Sequence, residues 1–245
     1  MMIVGIDSST DILALGIYDN DTIEGEININ LGQGHNKRLL PYLDMILQET
    51  GYEFSDIEGF SLVTGPGSFT GLRISLSTIK AFNLAKDFKT IGVSSLELLV
   101  SAYIDQPGFW LPVFDARSSR VYTALFAGGN RLPDKNSRLL SDRAEPLEEL
   151  PGLLSGQLNP GDKLTIVGPG VKIYQEELQK QLSRTNLQIN IATSSPVLPA
   201  GGRLAWLGSQ LWAAGREDDI RDLSPRYLKK SQAELDYSKE EGEQE

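Results

Sequence analysis

The sequence contains no cysteine and a single histidine, His35, among its 245 residues. The lack of cysteine excludes disulfide bonds and thiolate metal sites. One histidine leaves little room for a cysteine-free zinc site, and a Ser-His-Asp triad would have to use His35. No Gly-Lys pair and no G-x-S-x-G segment occur, which excludes a Walker A loop and a nucleophile elbow. No apolar run approaches the roughly 18 residues of a membrane span.

Positive charge is also in short supply, because 33 acidic residues face 23 basic ones and the net charge is −10. Tight independent binding to nucleic acid is therefore disfavoured, and we expect any RNA to be held together with another protein. Mean hydropathy is −0.21, which indicates a globular chain. The apolar start is typical of a strand and not of a signal peptide, so a cytoplasmic location is the default expectation.

The chain is organised around the stretch Gly65-Pro66-Gly67-Ser68-Phe69-Thr70-Gly71-Leu72-Arg73, which links an apolar strand to a helical pattern over Phe69–Ala85. Glycines allow a tight turn, and the free N–H groups of a helix start can bind an anion. The spacing G-x-G-x-x-x-G is one residue longer than the dinucleotide fingerprint. Two interpretations stay open: a backbone anion cradle, or a plain strand-to-helix turn with Ser68 or Thr70 as N-cap.

A fold-scale repeat is visible in the order of the motifs. The apolar run Met2–Ile6 ends at Asp7 and is followed, two strands and a helix later, by the strand before Gly65-Pro66-Gly67. Trp110–Asp115 repeats the first strand with its aspartate, and Leu164–Gly170 repeats the strand with its Gly-Pro-Gly turn. This order predicts a duplicated α/β protein with two mixed sheets.

The predicted boundaries follow from composition. Residues 1–105 form the first subdomain, a seam lies at Asp105–Gly108, and residues 106–230 form a second, reduced subdomain. The segment 131–160 is polar and contains four prolines, so we expect it to be loosely built. The acidic end, 231–245, is expected to be a disordered tail.

Five helices are predicted, one of which, Val171–Leu182, follows the second Gly-Pro-Gly turn. The first covers Arg38–Thr50, with Pro41 in its first turn and Gly51 as its C-cap. The Phe69–Ala85 helix has two faces, one for the sheet and one, rich in small residues, for a neighbour that the sequence does not identify. A third helix starts at Ser94-Ser95 and runs to about Tyr103, and the last spans about Ala200–Ala214.

Two interpretations of the strand-end aspartates remain open. In the first, a nucleotide such as ATP or ADP lies between the subdomains, with Asp7 and Asp115 holding Mg²⁺ and the turn at Gly65, Gly67 and Ser68 offering N–H groups. In the second, both aspartates only cap turns, because the residues after them lack the glycines needed for close phosphate approach. A hydrolase would require His35 beside Ser68.

The sequence resembles the TsaB (YeaZ) family. The resemblance covers most of the chain and is carried by Ile6–Thr10, Gly34-His35-Asn36, the Gly65–Ile74 stretch, Gly92–Glu97, Asp115-Ala116-Arg117 and Pro225–Leu228. It implies a duplicated actin-like, Hsp70-like (ASKHA) fold. It also implies a non-catalytic partner of the transferase TsaD, needed for threonylcarbamoyl transfer to adenosine 37 of tRNAs that read codons beginning with A.

The resemblance also has implications for a metal site and for the residues that bind a partner. TsaD-like relatives carry V-N-H-x-x-x-H, where this chain has Val93–Leu99 with Ser95 and Leu99 at the histidine positions, so no metal site is expected. The family's partner helices supply seven candidate interface residues: His35, Leu39, Tyr42, Arg73, Ser77, Lys80 and Ala81. Expected partners are a TsaD-like subunit, a TsaE-like ATPase, tRNA within the complex, and a second copy when alone.

Two further functions remain as alternatives. A stand-alone peptidase or nucleotide-dependent phosphotransferase of the actin-like superfamily would lose activity when His35 or Asp7 is changed. A free-standing homodimer that sequesters other partners would show competition between self-association and binding of the TsaD-like subunit.

Overall fold

Two five-stranded mixed sheets make up the computed structural model, which describes residues 1–32, 34–130, 132–133, 136–192 and 200–228. The strands are β1 (Ile3–Asp7), β2 (Ile12–Asp19), β3 (Thr22–Asn30), β4 (Gly59–Gly65), β5 (Lys89–Ser94), β6 (Phe109–Asp115), β7 (Arg120–Ala127), β8 (Arg138–Pro146), β9 (Lys163–Val167) and β10 (Gln188–Ile191). The helices are α1 (His35–Thr50), α2 (Phe69–Asn83), α3 (Ser95–Val100), α4 (Leu150–Ser155), α5 (Pro169–Leu182) and α6 (Gly201–Ala213). The predicted tail, 231–245, lies outside the described residues.

The predicted duplication is confirmed by the strand order. The first sheet runs β3-β2-β1-β4-β5 and the second β8-β7-β6-β9-β10, so β1 corresponds to β6 and β4 to β9. In each sheet the central strand pairs antiparallel with the next strand and parallel with a later one. Every residue of β1 is buried, as expected of a central strand, whereas β3 is half-exposed at the edge. This is the duplicated architecture of two mixed sheets that the order of the motifs predicts.

The start of the first helix corrects one prediction. Helix α1 begins at His35 after Gly34, whose φ of 91° only glycine adopts freely, so Pro41 lies in the second turn instead of the first. The proline side chain is exposed. The helix continues through this position although proline has no N–H to donate to the backbone hydrogen-bond ladder. Gly51 ends the helix in the left-handed region with φ 76°, as predicted.

The segment after residue 135 is better ordered than the sequence suggests. It contains β8 and α4, and its leucines enter the core of the second sheet. The buried ones are Leu140, Leu147, Leu150, Leu154 and Leu158. The prediction of a loosely built segment was wrong because prolines and charges between these leucines obscured their spacing, which is close to helical from residue 147 onward.

Helix α6 returns to the first sheet, although it follows the second sheet in sequence. It packs over β1 and β2 through glycines on both sides. A Cβ atom on Gly16 would lie 2.0 Å from the backbone nitrogen of Gly202, and one on Gly208 would lie 2.4 Å from the Ser61 Cβ. The first sheet is therefore covered by α1 and α2 on one face and by α6 on the other. Within the described ranges, no helix has the length and apolar character required to cross a membrane.

Candidate functional site

The motifs that mark the repeat meet between the two sheets, around two adjoining cavities. The inner cavity, of about 290 Å³, is lined by Asp7, Ser95, Leu99 and Arg203 among others. The cleft, of about 650 Å³, is lined by Gly67, Ser68 and Asp115 among others. The two share five lining residues: Ser9, Thr10, Asp11, Phe114 and Pro169. Four of the five candidate nucleotide residues thus line one or other cavity, and the fifth, Gly65, is buried against the backbone of Arg226.

The glycine turn packs against the loop that follows β1. The backbone N–H of Ser68 donates to the Ser9 carbonyl at 2.7 Å, and the Ser68 hydroxyl accepts from the Gly71 N–H at 3.3 Å. A Cβ on Gly71 would lie 1.8 Å from the Ser8 carbonyl oxygen. Ser68 is therefore the N-cap of α2, and these two N–H groups already have partners inside the chain.

The second glycine turn shares a left-handed first glycine with the first turn, but its helix begins sooner and has no side-chain cap. Gly168 has a φ of 114°, close to the 118° of Gly65, and α5 begins at the next residue. A Cβ on Gly170 would meet the Val113 carbonyl at 2.9 Å, at the end of β6. Both turns use glycine to approach the neighbouring strand end closely, which accounts for the repeated Gly-Pro-Gly signal in packing terms.

The two aspartates have different surroundings. Asp7 is buried, and its Oδ1 accepts from the Ser9 N–H at 2.8 Å. Burial raises the pKa of the Asp7 carboxyl, while the hydrogen bonds from Ser9 and the charge of His35 lower it. Asp115 is exposed, and its Oδ1 accepts from the Arg117 N–H at 2.6 Å and the Tyr174 hydroxyl at 2.7 Å. Desolvation, with the bond to Asp115 second, raises the pKa of Tyr174 to about 12. Burial therefore disfavours the charged form of Asp7, which is the form that binds Mg²⁺.

The positions at which the resemblance placed histidines lie in the inner cavity with Asp7. Ser95 and Leu99 are one turn apart on α3, and both line this cavity. The Ser95 hydroxyl donates to the Pro66 carbonyl at 2.5 Å, while Leu99 packs with Trp110 and Phe126. In the described part of the chain, no three His, Asp or Glu side chains are grouped as a metal site.

His35 is buried at the first position of α1, and its Nε2 has no hydrogen-bond partner among the described residues. His35 lowers the pKa of Asp7, against the larger effect of burial. The Ser68 hydroxyl is used by the α2 N-cap, and no hydrogen bond between Ser68 and His35 appears in the described ranges. The geometry therefore gives no support to a serine–histidine hydrolase.

The seven candidate interface residues separate by exposure. His35 and Leu39 are buried within this chain, at 6% and 1% exposure, which corrects the prediction for these two residues. Arg73, Ser77 and Ala81 are exposed on α2, and Tyr42 and Lys80 are half-buried. His35 and Leu39 were chosen because they lie on a helix that the family uses to bind its partner. In this chain the buried side of that helix, α1, faces the sheet.

Sequence reasoning missed exposed apolar side chains on α1 and in the turns that follow α1 and α2. Leu40 is 50% exposed, Met45 41%, Phe54 40% and Leu84 90%. A groove of about 360 Å³ between the two helices is lined by Leu40, Phe54 and Phe82 among others. The signal was present, since Leu40 and Met45 fall outside the stripe Leu39, Leu43, Ile46 and Leu47 that packs inward. We call Leu40, Met45, Phe54, Ser77, Ala81 and Leu84 the helical surface.

The paired sheets, the inter-sheet cleft and the repeated strand-end aspartates place this chain in the class of duplicated actin-like proteins. A family model described as "TsaD: tRNA N6-adenosine threonylcarbamoyltransferase" matches residues 30–237. The chain therefore belongs to this family. Among its relatives is TsaB, the tRNA threonylcarbamoyladenosine biosynthesis protein of Bacillus subtilis strain 168, at 29% identity over 96% of each chain.

Other relatives agree with that match. TsaB of Escherichia coli strain K12 is 25% identical, covering 95% of this chain and 96% of its own. A solved structure of YeaZ from Pseudomonas aeruginosa covers 93% of this chain and 99% of its own, with a TM-score of 0.72 at 22% identity, and supports the fold. The predicted membership of the TsaB (YeaZ) family is confirmed.

Proposed function

We propose that this chain takes part in threonylcarbamoyladenosine biosynthesis on tRNA as a non-catalytic subunit. It binds a TsaD-like transferase and orders or stabilises it for transfer to adenosine 37 of tRNAs reading codons that begin with A. The observation that carries the proposal is the inner cavity. There Ser95 and Leu99 stand beside the strand-end Asp7, where the resemblance places imidazoles in the transferase.

Neither side chain can take over a histidine's role. Serine is a poor ligand at neutral pH and leucine is none. The Ser95 hydroxyl also donates to the Pro66 carbonyl, and burial raises the pKa of Asp7. The chain therefore supplies a scaffold of the same shape as the transferase without its metal chemistry.

The helical surface supports the second half of the proposal, the partner. Leu40 and Phe54 are exposed apolar side chains that line one groove, and an exposed apolar patch of this kind favours a protein-binding surface. Ser77 and Ala81 are small and exposed at i and i+4, so they allow another helix to approach closely. The partner is a TsaD-like subunit in the complex, or a second copy of this chain when it is alone. A TsaE-like ATPase joins the assembly, and the chain itself needs no cofactor of its own.

Ala81→Arg tests this surface directly. We expect the variant to bind the transferase about thirtyfold more weakly or worse, because a long charged side chain must be buried between packed helices. The matched control is Ala213→Arg, the same change at an exposed position near the end of α6. Affinity is measured by surface plasmon resonance with the immobilised transferase, and circular dichroism checks folding. Equal affinities of Ala81→Arg and wild type would remove α2 from the interface.

A further inference from the structure

Two exposed aromatic rings stand at the mouth of the cleft and are held in place by an arginine. The Phe69 and Tyr227 rings stack with centroids 4.6 Å apart and planes 26° apart. The Arg73 guanidinium lies 3.8 Å from the Phe69 centroid, and its Nε donates to the Tyr227 hydroxyl at 3.0 Å. Even so, Phe69 is 40% and Tyr227 46% exposed. We call these three residues the aromatic platform.

Positive groups flank the platform within the same cleft. Arg117 and Arg226 are exposed and line the cleft together with Tyr227, and Nη1 of Arg226 also lies 3.9 Å from Oδ2 of Asp142. The N-terminal ends of α2 and α5, at Ser68 and Pro169, also line it and add the positive ends of two helix dipoles. Two carboxylates, Asp11 and Asp115, lie on the same walls, and Asp115 Oδ1 already accepts two hydrogen bonds.

The loop that carries Arg117 is unusual in its backbone. Arg117, Ser118 and Ser119 have φ values of 61°, 55° and 54°, three consecutive non-glycine residues in the left-handed region. Such a run costs free energy at each residue, and strain of this kind concentrates at functional sites. The bend places Arg117 on the cleft wall.

Stacked aromatic rings beside arginines are the combination that binds unpaired nucleic-acid bases and the phosphates next to them. In duplex RNA the base faces are covered by their neighbours, so only a single-stranded segment can offer a base face to Tyr227. Arg117 and Arg226 balance Asp11 and Asp115 on the cleft walls, and Arg73 of the platform adds a third cation, in a chain of net charge −10. With so few cations, this chain binds RNA only weakly by itself. Tighter binding requires a second protein that adds further contacts to the RNA.

We infer that the aromatic platform with Arg117 and Arg226 is a contact site for a single-stranded segment of RNA. One base stacks on the exposed Tyr227 ring, and the adjoining phosphates pair with the two arginines. The identity of that RNA as tRNA rests on the proposed function, whereas the stacking and charge do not.

Fluorescence anisotropy with fluorescein-labelled oligouridylate and with unmodified tRNA transcript tests the inference, on the complex with the transferase and on this chain alone at low salt. Tyr227→Ala is expected to weaken binding about tenfold, the loss of one stacked base, while Tyr227→Phe retains binding. Arg226→Gln is expected to lower the slope of log affinity against log salt by about 0.7, the loss of one phosphate contact. Arg184→Gln, an exposed arginine on the turn after α5, is the charge-matched control and leaves both quantities unchanged.

Three results would overturn the inference. Unchanged RNA affinity in Tyr227→Ala and Arg226→Gln would mean that RNA does not touch the platform. Loss of transferase binding in Tyr227→Ala, with RNA affinity of the chain alone unchanged, would make the platform a protein contact. Saturation by uridine monophosphate at the affinity of the oligonucleotide would make it a mononucleotide site. If no transferase binds at all, the proposed function fails. RNA binding by the chain alone, and its dependence on Tyr227, then still tests whether the platform contacts RNA.

Discussion

Gly16→Ala is expected to cost about 3 kcal/mol or more of unfolding free energy, with a fall in Tm of about 10 °C. The added Cβ would lie 2.0 Å from the Gly202 nitrogen and 2.2 Å from the Gly201 carbonyl carbon. All three nearest atoms belong to the backbone of α6, so no side chain can rotate away. The helix has to lift off the sheet, which opens the apolar layer that holds Leu204 and Leu207. Thermal and urea unfolding measure the loss.

Gly152→Ala is the matched control for that variant. Gly152 lies inside α4, and nothing is within 4 Å of a Cβ built on it. The same one-carbon change is therefore expected to stabilise the protein by about 0.5–1 kcal/mol through helix propensity. Equal stability of Gly16→Ala and wild type would contradict the close approach of α6 to the first sheet.

Glu97→Ala is expected to destabilise the protein by about 3–5 kcal/mol, because it removes the shared acid of a buried charge network. Glu97 is 3% exposed on α3. Its Oε1 lies 2.9 Å from Nη1 of Arg216 and its Oε2 3.6 Å from Nη2 of Arg138. The same carboxylate accepts from the Ser94 N–H at 3.2 Å, which closes the capping box of α3. Alanine would leave two half-buried guanidinium groups without this partner.

The network also joins parts of the chain that are far apart in sequence. Arg138 lies on β8 of the second sheet, while Arg216 follows α6 and also donates to the Gly92 carbonyl of the first sheet. We therefore expect Glu97→Ala to loosen the contact between the two sheets. Glu145→Ala is the control, since Glu145 pairs with Arg143 within β8 alone at 3.6 Å, and its loss is expected to stay within about 1 kcal/mol. Urea denaturation of both variants measures the loss of unfolding free energy. Similar losses in Glu97→Ala and Glu145→Ala would contradict a special role for Glu97.

The repeat was the part of the fold that the sequence could predict. Asp7 and Asp115 end matching strands, and Gly65-Pro66-Gly67 and Gly168-Pro169-Gly170 follow matching ones, so the order of motifs alone gave the duplication. The packing of α6 against the first sheet could not be predicted from the sequence. An apolar stripe shows that a helix is buried but not which sheet buries it. The glycines at 16, 201 and 202 were the available signal, because backbone contact demands them on both sides.

The candidate site was predictable where the motifs are local. Ser95 and Leu99 do line the cavity that holds Asp7, since α3 follows directly on β5 and presents both on one side. Arg203 and Tyr227 were missed as lining residues because they come from segments whose path over the cleft is set by tertiary packing. His35 and Leu39 were misassigned for a related reason. A family resemblance identifies a helix, while exposure depends on how that helix is rotated.

The most direct test of the account is tRNA modification by the purified transferase, measured with and without this chain. Threonylcarbamoyladenosine in the tRNA is quantified by mass spectrometry of nucleoside digests. We expect little product from the transferase alone, restored product when this chain is added, weak restoration by Ala81→Arg, and none from this chain without the transferase. Full modification in the absence of this chain, or product formed by this chain alone, would contradict a non-catalytic subunit that acts through its surface.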